Sequence, residues 1–347
     1  MALKSSEQPL ISVCIAHYNG RAYIGTCLES VLSQEVQASF EVIVHDDAST
    51  DQSSEYIQEH FPDVRLLRSE RNVGFCISNN RMVAIARGNY LLLLNNDAVL
   101  HRGALQALFS RAEQIGRPCI LGLPQYELPT GSLIDRGSLF DPFLNPVPIV
   151  RTGRRDVGMV SGACLWISKD LWNELGGFPE YFFNIAEDTY VCCVARLWGY
   201  PVEVVDTSGF DHWIGKNIGG GRIESGRIST TFSRRYHSER NKSCVMYICY
   251  PLPLLLILLP IHLCMLTMEG VLLSLLRKDR NVWKEIYARA LQYLWSHRAF
   301  LHEERLRVQG KRSAGITDFT GIIAWQFQKL KLLCTYGAPG INRKPSP

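Results

Sequence analysis

The eleven cysteines of this 347-residue chain form no C-x-x-C pair and no His/Cys cluster at zinc-ligand spacing. That absence argues against zinc ribbons, thioredoxin-like redox motifs and a disulfide framework. Most cysteines sit among apolar neighbours (Val13-Cys14-Ile15, Ala163-Cys164-Leu165, Val191-Cys192-Cys193-Val194) and read as buried thiols in a reducing compartment. Charge of one sign is also scarce: 37 Lys and Arg against 33 Asp and Glu leave +4, so bulk electrostatics argue for no nucleic-acid partner. No G-x-G-x-x-G follows the first apolar run, which disfavours a dinucleotide cofactor. The opening MALKSSEQPLISVCIAHYNG lacks the long apolar run and small-residue cleavage site of a signal peptide, so the catalytic part is expected in the cytosol.

Residues 243–268 contain no Asp, Glu, Lys or Arg, and then residues 277–312 carry ten Lys and Arg against four acids. An apolar segment followed by a basic one suggests contact with an anionic membrane surface. The chain is therefore expected to divide near residue 242, with a catalytic domain over 1–242 (donor half 1–116, acceptor half 117–242) and a helical attachment region over 243–347. Residues 247–276 are long enough to span a bilayer, but Pro251, Pro253 and Pro260 interrupt them. Short hydrophobic helices lying in the interface fit those prolines better than a single span does, which predicts peripheral attachment to the cytoplasmic face of the membrane. A homodimer interface through the C-terminal helices is the alternative.

Ahead of that tail two periodicities alternate. Residues 10–16 (LISVCIA), 40–45 (FEVIVH), 64–68 and 90–94 (YLLLL) are short strand-like runs. Helical spacing appears in residues 23–32, 53–60, 77–87 (with Gly88 as a C-cap) and 105–115 (closed by Gly116). The fold class is thus α/β: an open, mostly parallel sheet with helices on both faces, whose ligands bind at the carboxyl ends of the strands. Residues 116–159 hold six prolines and read as a variable region lining a substrate cleft. Regularity returns with a strand over 160–168 and helices over 169–175 and 187–197.

Three acidic segments follow strands or open helices. In LLLLNND, Asp97 leaves the most apolar strand beside Asn95 and Asn96. Such a site suits Mg2+ or Mn2+ shared with a substrate's phosphates, or else a simple Asx turn. Asp46 and Asp47 either cap the next helix or face a nucleotide base. Glu187 and Asp188 either complement a helix dipole or supply a general base. His212 is either a packed histidine or part of a metal shell, ahead of a basic glycine loop containing Lys216 and Arg222.

Taken together, VCIAHYNG, FEVIVHDDASTD, ERNVGFCISNNRMVAIARGNYLLLLNNDAVL, VSGACLWISKDLWNELGGFPEYFF, AEDTYVC and then His212 closely resemble family 2 inverting glycosyltransferases of the GT-A fold, and most of all the rhamnosyltransferase-like subgroup. The resemblance covers residues 10–245. It implies that Asp188 is the catalytic base, with Glu187 second. It implies that Asp97 and His212 hold the cation. Ala16, Tyr18, Asp46, Asp47, Asn80, Asn96, Lys216 and Arg222 would bind a nucleoside-diphosphate sugar, dTDP-rhamnose or a UDP-sugar. The acceptor would be a lipid-linked or polysaccharide hydroxyl in surface glycan synthesis. Members often carry another acid where Asn95 and Asn96 stand, a second Asp where Tyr190 stands, and a second His at Trp213. These departures keep open a catalytically silent module that binds a glycan or a partner.

Overall fold

The computed structural model describes residues 8–213, 222–224 and 227–343, with the backbone alone at 222–224 and 227. Strand and helix alternate through β1 (Ile11–His17), α1 (Arg21–Leu32), β2 (Phe40–Asp46), α2 (Ser53–His60), β3 (Arg65–Arg68), α3 (Phe75–Ile85), β4 (Tyr90–Asn95), β5 (Ala98–Leu100), α4 (Ala104–Ile115), β6 (Ile120–Gly122), β7 (Gln125–Glu127) and β8 (Ser132–Asp135). After β9 (Ser138–Phe140) and β10 (Pro146–Pro148) come β11 (Cys164–Ser168), α5 (Lys169–Leu175), α6 (Glu187–Leu197), β12 (Val202–Val204) and β13 (Phe210–His212). The chain forms two compact units, one of residues 1–138, 148–195 and 200–217, the other of residues 139–147, 196–199 and 218–347.

In the first unit a seven-stranded sheet has the order β12-β6-β11-β4-β1-β2-β3. β1 pairs parallel with β2 and β4, while β11 runs antiparallel against β4 and β6. This is a GT-A-like α/β arrangement. β4 is central, which explains its four leucines: Leu91 to Leu94 are all at most 1% exposed. Leu92 and Leu94 join the core of Ile15, Ile24, Leu28 and Leu105 on one face, and Leu91 and Leu93 alternate to the other. Gly116 closes α4 in the left-handed conformation, φ 62°, as its position suggested. Gly88 does not cap α3, which ends at Ile85. A Cβ at Gly88 would lie 2.6 Å from Ser12 N, so glycine is there to let the chain pass against β1. The proline-rich middle is also more regular than its composition implies. β7 and β8 join a second sheet of order β5-β13-β7-β8.

The second unit contains β14 (Arg222–Glu224), β15 (Arg227–Thr231), α7 (Phe232–Cys249), α8 (Leu252–Leu276), a π-helical turn (Val282–Ala288), α9 (Arg289–Ser296), α10 (Arg298–Gly310), α11 (Ile316–Thr320), α12 (Gln328–Tyr336) and β16 (Gly340–Asn342). The expected boundary at 242 falls inside α7. That helix runs through it unbroken because residues 239–246 are already buried there. The prolines do not divide the apolar segment either: α8 is one helix of 25 residues. Pro251 is its N-cap and Pro253 lies in the first turn, where a missing N–H leaves no bond unmade; Pro260 alone is internal. Leu255, Leu258, His262, Leu266, Gly270 and Leu273 form its buried face. Leu252, Leu256, Ile261, Met265, Met268, Leu272 and Leu275 form an exposed one. By length and composition α8 could cross a membrane.

Candidate active site

The carboxyl ends of β1, β2 and β4 share one edge of the large sheet, because His17 pairs with Asp46 and Ala16 with Asn95. Strand β11 is antiparallel, so its beginning reaches the same edge, Cys164 opposite Leu94. The candidate residues hang on this edge.

Asn96 and Asp97 link β4 of the large sheet to β5 of the small one. β13 lies antiparallel beside β5 with His212 opposite Ala98, which delivers a residue from 115 positions away to Asp97. His212 Nε2 is 3.1 Å from Asp97 Oδ1, and Trp213 N donates to Asp97 O at 3.1 Å. Both side chains are largely buried, 13% and 5% exposed. Gln125 Nε2 lies 2.9 Å from His212 Nδ1 on the other side of the ring.

Asn96, in contrast, turns away from a ligand role and donates its amide to His17 Nδ1 at 2.9 Å. Burial lowers the pKa of His17, which keeps the ring neutral and able to accept. A Cβ on Gly20 would sit 2.1 Å from Asn96 Nδ2, so this contact needs glycine at position 20.

The donor-side acids are held by the backbone. Asp47 accepts from Val73 N at 2.7 Å and Gly74 N at 2.8 Å, and its own N–H donates to His17 O at 2.8 Å. Asp46 accepts from Ser49 N at 3.1 Å and from the Ser54 hydroxyl, so it braces the turn into α2, whose N-cap is Gln52. Ala16 is half-buried and Tyr18 exposed at the exit of β1. The Asn80 amide is engaged by Phe178, donating to its O at 2.9 Å and accepting from its N at 3.0 Å. Lys216 lies outside the described residues, as does the Arg222 side chain.

Asp188 opens α6. Its Oδ2 accepts from Gly162 N at 3.0 Å and its Oδ1 from Thr189 N at 2.6 Å. Burial raises its pKa against those bonds, so the carboxylate is more basic than an ordinary one. Gly162 adjoins Ala163, whose O accepts from Asn95 N at 3.0 Å, and this ties Asp188 to the Asp97 loop. The approach to Asp188 is backbone under strain: Phe183, Ile185 and Ala186 have φ of 66°, 70° and 69°. For a β-branched residue such a φ is a true outlier, and outliers of this kind cluster at functional sites. Glu187 is buried beside it.

Sequence reasoning missed three partners. Gln125 comes from the proline-rich middle and reaches His212 because β7 pairs with β13, where Gln125 stands opposite Phe210. His17 ends β1 and meets Asn96. Asp135 on β8 is a further buried carboxyl whose pKa is raised by burial and, to a smaller degree, by the charge of Asp188. None carried a local signal; each depends on strand pairing.

Among the described residues no three His, Cys, Asp or Glu side chains gather as a metal site. The donor set still suits a divalent cation that takes its remaining ligands from a substrate. It has the Asp97 carboxylate and the His212 imidazole, and next to them Asn95 Oδ1, a buried oxygen with no hydrogen-bond partner among the described residues.

With this geometry in hand, the first unit can be set beside known proteins. Residues 12–176 match Glycosyl transferase family 2. The chain is 29% identical over 188 residues to an Escherichia coli chondroitin synthase, covering 53% of this chain and 26% of that protein. It is 27% identical over 188 residues to the N-acetylglucosaminyl-diphospho-decaprenol L-rhamnosyltransferase of Mycobacterium tuberculosis, covering 45% and 61%. The chain thus spans less than two thirds of the length of either relative. Its fold is similar to that of S. aureus TarS 1–349, solved in complex with UDP-GlcNAc, with a TM-score of 0.56 at 17% identity over 91% of this chain and 93% of that one. The family match lies along residues 12–176, the stretch that carries Asp46, Asp47 and Asp97.

Proposed function

We propose that the protein is an inverting, metal-dependent glycosyltransferase that moves a sugar from a nucleoside diphosphate, dTDP-rhamnose or a UDP-sugar, to a hydroxyl of a lipid-linked or polysaccharide acceptor. The observation that carries this reading is the 3.1 Å approach of His212 to Asp97 on the sheet edge that also bears Asp188. A rhamnosyltransferase among the relatives and a UDP-GlcNAc complex of similar fold support a nucleotide-sugar donor.

Asp188 takes the proton of the acceptor hydroxyl as its oxygen attacks the anomeric carbon, and the raised basicity of that carboxylate suits the task. One displacement breaks the bond to the diphosphate from the opposite face and inverts the carbon. Asp97 and His212, with Asn95 Oδ1 beside them, would hold Mg2+ or Mn2+. When bound, that cation would neutralise charge on the departing nucleoside diphosphate. Asp47, fixed by two N–H groups, holds the loop at 73–74 in place and lines the donor side with Tyr18 and Ala16. The outward face of α8 and the basic residues that follow it support peripheral attachment to an anionic membrane surface, where a lipid-linked acceptor would be presented.

The test is release of nucleoside diphosphate from dTDP-rhamnose and UDP-sugars with Mn2+, Mg2+ or EDTA. Turnover that needs the cation and vanishes in Asp188→Asn while donor binding persists is the expected result. Donor binding without turnover under every condition would leave a silent binding module and overturn the enzymatic reading.

A further inference from the structure

Two amide nitrogens face the two ring nitrogens of His212: Gln125 Nε2 lies 2.9 Å from Nδ1 and Asn95 Nδ2 lies 3.3 Å from Nε2. A neutral imidazole carries one proton and cannot accept at both nitrogens. Asp97 Oδ1, 3.1 Å from Nε2, resolves the conflict: Nε2–H donates to the carboxylate and Nδ1 accepts from Gln125. In that tautomer Nε2 has no lone pair for a cation. To ligate through Nε2, the ring must carry its proton on Nδ1, and Nδ1–H then needs an acceptor. Gln125 can supply one by turning its amide to present Oε1, a half-rotation that leaves the side chain in the same space. It is 6% exposed, so no water competes freely for the position.

We propose that Gln125 is a positioning residue that selects the tautomer of His212, holding Nε2–H toward Asp97 in the cation-free protein and accepting Nδ1–H when a divalent cation binds. The proposal rests on the cation reading given above and adds to it a residue from outside the acidic motifs. A carboxylate fixed beside Nδ1 would hold the ring permanently in the ligating orientation. An amide can serve both states, so the His212–Asp97 contact is a resting form that opens without moving the backbone. Partners of this type behind a metal-ligating histidine change cation affinity by about 10- to 100-fold.

The experiment uses the full chain with Mn2+ and UDP as probes. Affinity for Mn2+ is read from the free-ion electron paramagnetic resonance signal, and the His212 tautomer from 15N NMR with and without Mg2+ and UDP. Gln125→Met, which fills the space without an acceptor, should weaken Mn2+ binding about 10- to 100-fold at an unchanged melting temperature. Gln125→Glu should restore or exceed wild-type affinity and protonate Nδ1 even before the cation is added. In the wild type the ring proton should move from Nε2 to Nδ1 on loading. Wild-type Mn2+ affinity in both variants, or a ring proton that stays on Nε2 after loading, overturns the role of Gln125 and leaves the cation site standing. No Mn2+ binding by the wild type with UDP overturns both.

Discussion

Both units bury acids, but with different company. In the first, Asp47 and Asp188 are held mainly by backbone N–H groups and Asp97 by an imidazole, all at a sheet edge where a ligand could replace or add to the contact. In the second, Glu239 is wholly buried and takes Lys329 at 2.7 Å, Lys242 at 3.1 Å and Arg235 at 3.3 Å. Burial alone would push Glu239 up; those three cations override it and hold its pKa well below the ordinary carboxylate range. The same network drags Lys242 down to about 8, since burial outweighs the attraction of Glu239. N–H groups orient a carboxylate while leaving it net negative and able to meet a proton or a cation. A ring of ammonium and guanidinium groups neutralises it and serves the fold. The contrast separates carboxylates left negative at a sheet edge from a carboxylate neutralised among helices.

The sharpest way to break that contrast is at Asp188 and Glu239. Asp188→Asn should lower kcat by about 10²- to 10⁴-fold, the range of a lost general base. Relief of the buried charge and the loss of one of its two backbone N–H bonds oppose each other, so the melting temperature should change little. Glu239→Gln should do the reverse. It leaves the buried Lys242 without its acid, while Arg235 and Lys329 keep Glu269, so a loss of about 3–5 kcal/mol is expected, read as a lower urea midpoint. Glu239 has a depressed folded pKa, so its stabilisation is full above the unfolded value of about 4.3 and lost as pH falls through the folded one. The stability gap between wild type and variant should therefore narrow only in strong acid. A collapse of Asp188→Asn, or an indifferent Glu239→Gln, would reverse the assignment of roles.

Between those sites lies a subtler expectation in pH. A base works only when deprotonated, and the Asp188 carboxyl titrates above its usual range. The acid limb of the kcat profile should lie above about pH 4, the ordinary aspartate value. A limb at or below that value would mean that another group takes the proton.

The alternation of periods at residues 10–115 made the parallel sheet legible, since β-branched runs and helical spacing are local properties. The places of Asp97 after a strand and Asp188 in the first turn of a helix were legible too, because strand ends and helix starts are read from neighbours. The bracing of the turn by Asp46 is also local, since Ser49 and Ser54 are three and eight residues away. Gln125 and His17 were not legible, because their meaning comes from partners 87 and 79 positions away across sheet pairings that no local pattern encodes. The helix α8 was misread as broken because two of its three prolines occupy end positions, and composition does not reveal where a helix begins. The charge network at Glu239 was not legible either: Arg235, Lys242 and Lys329 lie outside the basic segment of residues 277–312, and counting Lys and Arg along the chain cannot tell a solvated charge from one that faces a buried acid.

The smallest effect tests whether close packing at the sheet edge differs from the helical unit. Gly20 adjoins the Asn96–His17 pair, and a methyl there would lie 2.1 Å from Asn96 Nδ2 and 3.1 Å from His17 Cε1. Gly20→Ala should displace the Asn96 amide and cost about 1–3 kcal/mol, as overpacking does, with donor binding weakened in parallel because Asn96 adjoins Asp97. Gly310, at the end of α10, has nothing within 4 Å of the same built position. Gly310→Ala should be neutral or stabilise by up to about 1 kcal/mol, the helix-propensity difference. Paired melting curves with a nucleotide titration read both effects. Equal responses at the two glycines would mean that the edge is soft enough to absorb a methyl, and the His17–Asn96 contact would then have no part in fixing the loop that carries Asp97.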